Sequence, residues 1–313
     1  MKTVAVVLER PEHLVLKSLD LCEVGANDVV VDVQWTGIST GTERLFWSGR
    51  MPQFPGMGYP LVPGYETVGR VSGTKSHSSL HDGDLVFVPG ADCFGAVKGL
   101  FGGAASKLVV PAARVIKVEE EFGETSILLA LAATAYHAIA QDNARLPELI
   151  VGHGVLGRLL ARIAVALDAP PPVVWESNPQ RHDADASYSV IDPENDSRSD
   201  YASIYDASGD SSLLDRLIGR LAKQGEIVLC GFYEKPLSFA FPTAFMREAR
   251  IRVAAEWKRP DIYTVKDLIT SRRLDLSGLI THRDDASRAP AAYRTAFADS
   301  HCLKMVLDWS KLQ

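Results

Sequence analysis

The chain has 313 residues, with 39 Asp and Glu against 33 Lys and Arg and a formal net charge of −6 at pH 7. That length allows one large or two modest domains whose core needs no disulfide or metal, and 46% hydrophobic with 23% charged residues is ordinary for a globular chain. The acidic balance, with no Lys/Arg cluster against it, argues against nucleic acid as a partner.

The opening "MKTVAVVLERPEH" reaches Glu9 too early for a secretory signal, and no run of about 18 apolar residues suggests a membrane span. Cys22, Cys93, Cys230 and Cys302 are scattered with no C-x-x-C pair, which fits a reducing compartment and not a Cys-rich zinc lobe. A cytoplasmic location is therefore expected, with peripheral membrane contact left open. Residues 28–35 ("DVVVDVQW"), 67–73 ("TVGRVSG") and 84–89 ("DLVFVP") are short β-branched segments cut by turn residues. They predict an all-β unit over residues 1–120.

From Ser126 the period changes. "SILLALAATAYHAIAQ" predicts a helix. Then come a strand at 149–151, a helix at 155–167, a strand at 173–175 and a strand at 201–209 that ends in glycine. A helix is expected at 212–225, stopped by Gly225, and a strand "EIVLCGF" follows it. The acidic stretch 183–200 predicts a surface loop holding one short strand. Near-continuous apolar strands alternating with helices imply a doubly wound parallel sheet. The fold class is α/β.

Between the first of these strands and its helix stands Gly152-His153-Gly154-Val155-Leu156-Gly157, a G-x-G-x-x-G. Its first glycine permits the turn, its second lets backbone approach a pyrophosphate, and its third lets helix and strand pack. The helix N-terminus attracts the negative charge. Glu176, nineteen residues after Gly157, ends the next strand, where a carboxylate accepts from the adenosine ribose and repels a 2′-phosphate. NAD is expected over NADP, although Ser177, Asn178 and Arg181 beside it offer phosphate-binding groups. His153 is expected beside the cofactor, and Ser208, in "DASG", on the nicotinamide side or at a plain strand-end turn.

The order of a β-rich unit, a dinucleotide fold and a short C-terminal return resembles the medium-chain dehydrogenase/reductase superfamily. "TGISTGTE" (36–43) and "PGYETVGRV" (63–71) look like its two active-site loops, "GHGVLG" like its cofactor loop, and "LITHRD" with "AYRTAF" and "LKMVLDW" like its C-terminal signature. The resemblance implies a GroES-like catalytic domain over residues 1–132 and 259–313 and a Rossmann domain over 133–258. It also leaves a homodimer open. Zinc members carry Cys where Ser39 or Thr40 stands and His-Glu where this chain has Tyr65-Glu66; "LLALAATAYH" lacks a third ligand. Hydroxyls are poor zinc ligands, so no metal is expected.

Within the superfamily, "STGTERLFWSGRMPQFPGMGYPLVPGYE" and "AAEWKRP" look most like the members of bacteriochlorophyll biosynthesis that oxidise a 3-(1-hydroxyethyl) group on a tetrapyrrole to 3-acetyl. Phe46, Trp47, Phe54, Tyr59, Phe94 and Phe101 are the candidate faces for a large planar ligand. The same side chains would equally serve as packing or as a dimer contact. Ser39, Thr42, Tyr65 and Glu66 are the candidates for handling the hydroxyl proton, against the alternative that they fill a vacated metal site. His137 and His282 are weaker candidates. The competing readings are an NADPH-dependent quinone or enoyl reductase and a non-catalytic carrier of dinucleotide and pigment.

Overall fold

The structure is a computed structural model that describes residues 1–53, 56–74, 79–141, 143–183 and 186–312. It divides into two compact units, Met1–Ala130 with Gly278–Gln313, and Leu131–Ser277. The first opens with strands β1 (Lys2–Arg10), β2 (His13–Asp20) and β3 (Asp28–Ile38), helix α1 (Thr42–Ser48), then β4 (Leu61–Val62), β5 (Thr67–Thr74), β6 (Leu85–Val88), β7 (Lys98–Gly99), β8 (Lys107–Pro111) and β9 (Ile116–Lys117). Helix α2 (Leu129–Ile139) leads to β10 (Leu149–Val151), α3 (Val155–Ala166), β11 (Val173–Trp175), β12 (Ser189–Ile191), β13 (Tyr201–Asp206), α4 (Leu214–Arg220), β14 (Leu221–Leu229), α5 (Phe241–Arg247), β15 (Arg250–Val253) and α6 (Arg259–Thr270). The chain then returns to the first unit with β16 (His282–Asp285), α7 (Ala289–Ala298) and β17 (Met305–Asp308).

In the first unit one sheet runs β2-β1-β4-β7 and a larger one runs β16-β17-β3-β5-β6-β9, with β8 also on β3. β3 is long and β-branched because both its edges are paired, with β5 and β17 in the sheet path and β8 beside it. Val29, Val31 and Val33 are fully buried on one face. Trp309, also fully buried, donates its indole N–H to Thr36 Oγ1 at 2.9 Å.

The second unit is a six-stranded parallel sheet in the order β12-β11-β10-β13-β14-β15. The order reverses beside β10, which opens a crevice at the carboxyl ends of β10 and β13. Residues 259–277, expected with the first domain, fall in this unit. Two contacts hold them there: His137 Nδ1 lies 2.9 Å from Asp261 Oδ2, and Arg162 donates to the Asp275 and Ser277 carbonyls.

Two elements differ from expectation. The helix expected at 212–225 ends at Arg220, because Leu221 already pairs with Tyr201 as a strand residue. Arg247 takes the freed carbonyls of Gly219 and Leu221. Glu120–Ile139 does reach the length and hydropathy of a membrane span, but 67% of that window is buried and the backbone breaks at Gly123 (φ 47°, ψ −131°). It is packed as a core element.

Asp196 governs where β11 ends. This buried carboxylate accepts from Trp175 Nε1 (2.7 Å), Tyr201 Oη (2.8 Å) and Arg198 N–H (2.9 Å). Arg216 and Arg220 lie over the Trp175 ring. Trp175 immediately precedes Glu176, so the clamp sets the position of that carboxylate. Asp196→Ala should cost about 3 kcal/mol, since two buried donors lose their acceptor; a urea midpoint within experimental error of the parent's would refute this.

Candidate active site

In the second unit the glycine loop forms as the motif requires. Gly152 has φ 95°, a left-handed value that other residues resist, and directly follows β10. A side chain on Gly157 would meet the Gly152 carbonyl at 1.8 Å, so only hydrogen lets α3 approach the strand. At Gly154 nothing lies within 4 Å of where a Cβ would stand. That opening at the N-cap of α3 is the cradle a pyrophosphate needs. Val155 is buried, and Leu156 partly so, on the first turn of α3.

Glu176 directly follows β11, buried, its oxygens accepting from the N–H groups of His153 (3.1 Å) and Asn178 (2.8 Å). Each carboxylate oxygen retains a lone pair for a ribose hydroxyl. Ser208 stands beside Gly152, its N–H and Oγ–H both on Asp206 Oδ1 (2.9 and 2.6 Å). The expected cofactor residues are thus brought together at the crevice. His153 is fully buried, with its ring engaged by protein groups.

In the first unit, Tyr65 donates its hydroxyl to Ser39 Oγ at 2.6 Å, with the Thr42 side chain also hydrogen-bonding to it. Burial first, then the Glu66 charge, push its pKa far above the ordinary phenol value. Tyr65 is therefore a neutral donor at physiological pH. Glu66 is 0% exposed and both its oxygens accept from Lys304 Nζ, at 2.8 and 2.6 Å, with Lys304 only 1% exposed. It follows Tyr65 in the chain as the anion of an ion pair.

Sequence reasoning missed three residues here. Glu43 is 2% exposed and accepts from Ser39 N–H (3.1 Å) and Tyr293 Oη–H (2.8 Å). Burial raises its pKa to about 7, against the lowering effect of the Tyr293 and Ser39 hydrogen bonds; Glu66 adds to the rise and Lys304 opposes it. Lys304 and Tyr293 stand over 200 positions away in the chain. All three sat within quoted motifs, Glu43 in "TGISTGTE", Tyr293 in "AYRTAF" and Lys304 in "LKMVLDW", but none was singled out.

The aromatic candidates separate. Phe46 and Phe94 are 1% and 3% exposed, in two different core clusters, so neither offers a face to a ligand. Phe46 turns inward from α1 onto Leu8, Met51 and Leu61, and Phe94 packs in the β-rich core. Trp47, Tyr59 and Phe101 are partly exposed. Phe101 meets Tyr65 edge-on at 5.6 Å, Trp47 leans on Phe297, and Tyr59 donates to the Phe46 carbonyl at 2.5 Å. Phe54 lies outside the described residues. His137 and His282 face Asp261 and Asp299.

The pattern of the alcohol dehydrogenase GroES-like domain matches residues 25–120. Over 310 residues, 99% of each chain, the sequence is 54% identical to the 2-desacetyl-2-hydroxyethyl bacteriochlorophyllide A dehydrogenase of Rhodobacter capsulatus. It is 53% identical over 314 residues, again 99% of each, to the protein of that name in Cereibacter sphaeroides. The fold is that of 2R,3R-butanediol dehydrogenase from Bacillus subtilis, with a TM-score of 0.84 at 16% identity over 98% of this chain and 99% of that one. It is also that of an alcohol dehydrogenase from E. coli CFT073 solved with NADH, with a TM-score of 0.82 at 20% identity over 98% and 99%. The chain belongs to the medium-chain dehydrogenase/reductase family, alongside the bacteriochlorophyllide A dehydrogenases it matches over 99% of its length.

Proposed function

We propose that this oxidoreductase oxidises a secondary alcohol to a ketone with NAD, and that the alcohol is the hydroxyethyl group of a bacteriochlorophyllide a precursor, which becomes acetyl. The observation that carries the reading is the 54% identity over 99% of a relative named for a hydroxyethyl bacteriochlorophyllide. Conjugation of the new carbonyl with the macrocycle favours the product. Phe101, Trp47 and Tyr59, each partly exposed, support a flat apolar ligand.

The nicotinamide, when bound, accepts the hydride. The chain supplies the rest. The opening at Gly154 and the N-terminus of α3 receive the pyrophosphate. Glu176 selects a ribose diol over a 2′-phosphate by hydrogen bonding and charge. The hydroxyl proton of the alcohol leaves to solvent, and Tyr65, whose single proton lies on Ser39 Oγ in the free site, turns it to the alkoxide oxygen that remains. Glu43 holds the Ser39 N–H and so the loop that presents its hydroxyl.

Zinc, usual in the family, does not fit this donor set. The positions offer the hydroxyls of Ser39, Thr40 and Tyr65, and a Glu66 carboxylate already committed to Lys304. The exposed Phe241, Phe245, Met246 and Val253, on α5 and edge strand β15, support a homodimer. A single-chain mass by light scattering would count against that dimer.

Visible absorbance should follow conversion of a hydroxyethyl chlorin with NAD. Binding of both ligands without turnover would favour the carrier, and a preference for NADPH of about tenfold or more would favour a quinone or enoyl reductase. Tyr65→Phe should lower kcat by about 10²-fold, the low end for such a group, whereas activity within threefold of the parent would remove Tyr65 from the chemistry. Glu176→Ala should narrow the NAD preference; an unaltered ratio would place ribose recognition elsewhere.

Glu43 makes a separate, pH-dependent prediction. Its folded pKa of about 7 lies above the ordinary 4.5. The folded state therefore binds more protons between these values, and stability falls as pH rises from about 4.5 to about 7. Glu43→Gln should remove up to about 3 kcal/mol of that fall. Parallel stability curves for parent and variant across this window would sink the assignment.

A further inference from the structure

Arg158 is the first residue after the glycine motif, on α3, and nothing in that motif requires an arginine there. It is nonetheless 7% exposed, and its guanidinium is fully directed. Nε donates to the His153 carbonyl (3.3 Å), one Nη to Asp183 Oδ2 (2.7 Å) and the other to the Arg181 carbonyl (3.0 Å). One side chain thus joins the glycine loop to the segment that follows Glu176.

His153 makes the same connection independently. Its Nδ1 lies 2.7 Å from the Arg181 carbonyl, which can only accept, so the ring proton is assigned to Nδ1. Nε2 is then an acceptor, and the Tyr188 hydroxyl at 2.9 Å donates to it, with the two rings edge-on at 5.6 Å. Burial drives the His153 pKa down to about 4, with Arg158 acting in the same direction. The imidazole stays neutral and this bonding pattern holds throughout the neutral range. The His153 N–H completes the link by donating to Glu176.

We propose that Arg158, with His153 and Tyr188, is a positioning clamp that fixes residues 176–183 against the glycine loop and so sets affinity for the adenosine end of the dinucleotide. The proposal rests on the dinucleotide-binding reading above and adds to it a residue outside the motif. Its physical basis is preorganisation. A loop already ordered around Glu176 has no ordering cost left to meet when the ribose arrives. Only a planar fork serves three acceptors in these directions, which a lysine ammonium cannot do.

The test uses the full chain and NAD itself. Arg158→Met, which keeps length and apolar packing, should raise the Kd for NAD, read by calorimetry, about tenfold as the competent loop becomes a minor state. KM for NAD should rise in parallel, with kcat within twofold. Arg158→Lys should not restore affinity. Tyr188→Phe removes one hydroxyl and should raise Kd about threefold by the same argument; it carries the test alone if Arg158→Met does not fold. A Kd within experimental error of the parent's in a folded variant, with only the melting temperature lowered, overturns the clamp. A parent that binds neither NAD nor NADP overturns the dinucleotide reading, and the clamp with it.

Discussion

The first unit is organised around one buried ion pair. Glu66 and Lys304 are both out of water, and the ammonium takes both carboxylate oxygens and reaches the Ile38 carbonyl at 3.4 Å. Glu66 precedes β5, Lys304 precedes β17, and Ile38 ends β3. These three strands are neighbours in the order β17-β3-β5. The backbone agrees, since Gly37 donates its N–H to the Glu66 carbonyl at 2.8 Å. A side chain on Gly37 would stand 2.2 Å from Glu66 Oε2, so hydrogen alone leaves room for the carboxylate. Such pairs add little net stability over an apolar core of the same shape, but losing one partner costs about 3–5 kcal/mol. The pair therefore acts mainly as a constraint on position: it requires three strand ends to meet in one register, with Tyr65 next to Glu66 in the chain.

What that constraint leaves over shapes the chemistry. Two carboxylates are buried in this region and Lys304 neutralises only one of them. Glu43 keeps its charge by hydrogen bonds from a backbone N–H and a phenol, so it sits at the edge of ionisation near neutral pH. Tyr65 feels both negative groups and is held as a phenol. The arrangement thus supplies a donor for an oxygen that becomes negative and a carboxylate able to change protonation state. Tyr293 supports it from α7, itself kept protonated by burial and by Glu43.

Local signals in the sequence were legible where one element settles its own fate. Strands 149–151 and 173–175 occur as expected, because a short apolar run between breakers has little alternative to a buried parallel strand. The glycine loop was legible because Gly152 answers a demand of dihedral angle and Gly157 one of space. Phe46 and Phe94 were misread because residue type does not reveal which way a loop or short helix turns its side chains. α1 has seven residues, too few to show a period, and its inward face holds Phe46. The end of α4 was lost to a tertiary contact, the pairing of Leu221 with Tyr201. Lys304 and Tyr293 stood in the C-terminal signature, but their partners were illegible there: each meets its carboxylate across most of the chain, and no local pattern marks such a pair.

The two units place charge in dry surroundings by different means. In the first, a side-chain ammonium answers a side-chain carboxylate, and the whole arrangement moves or stays as one. In the second, Glu176 is held by backbone N–H groups, and the opening at Gly154 faces the end of a helix, so the groups awaiting a ligand belong largely to the main chain. Main-chain groups persist through sequence change as long as the fold does. This explains how a TM-score of 0.84 survives at 16% identity. The scaffold specifies where a dinucleotide lies, and side chains rather than main chain set the buried charges of the first unit.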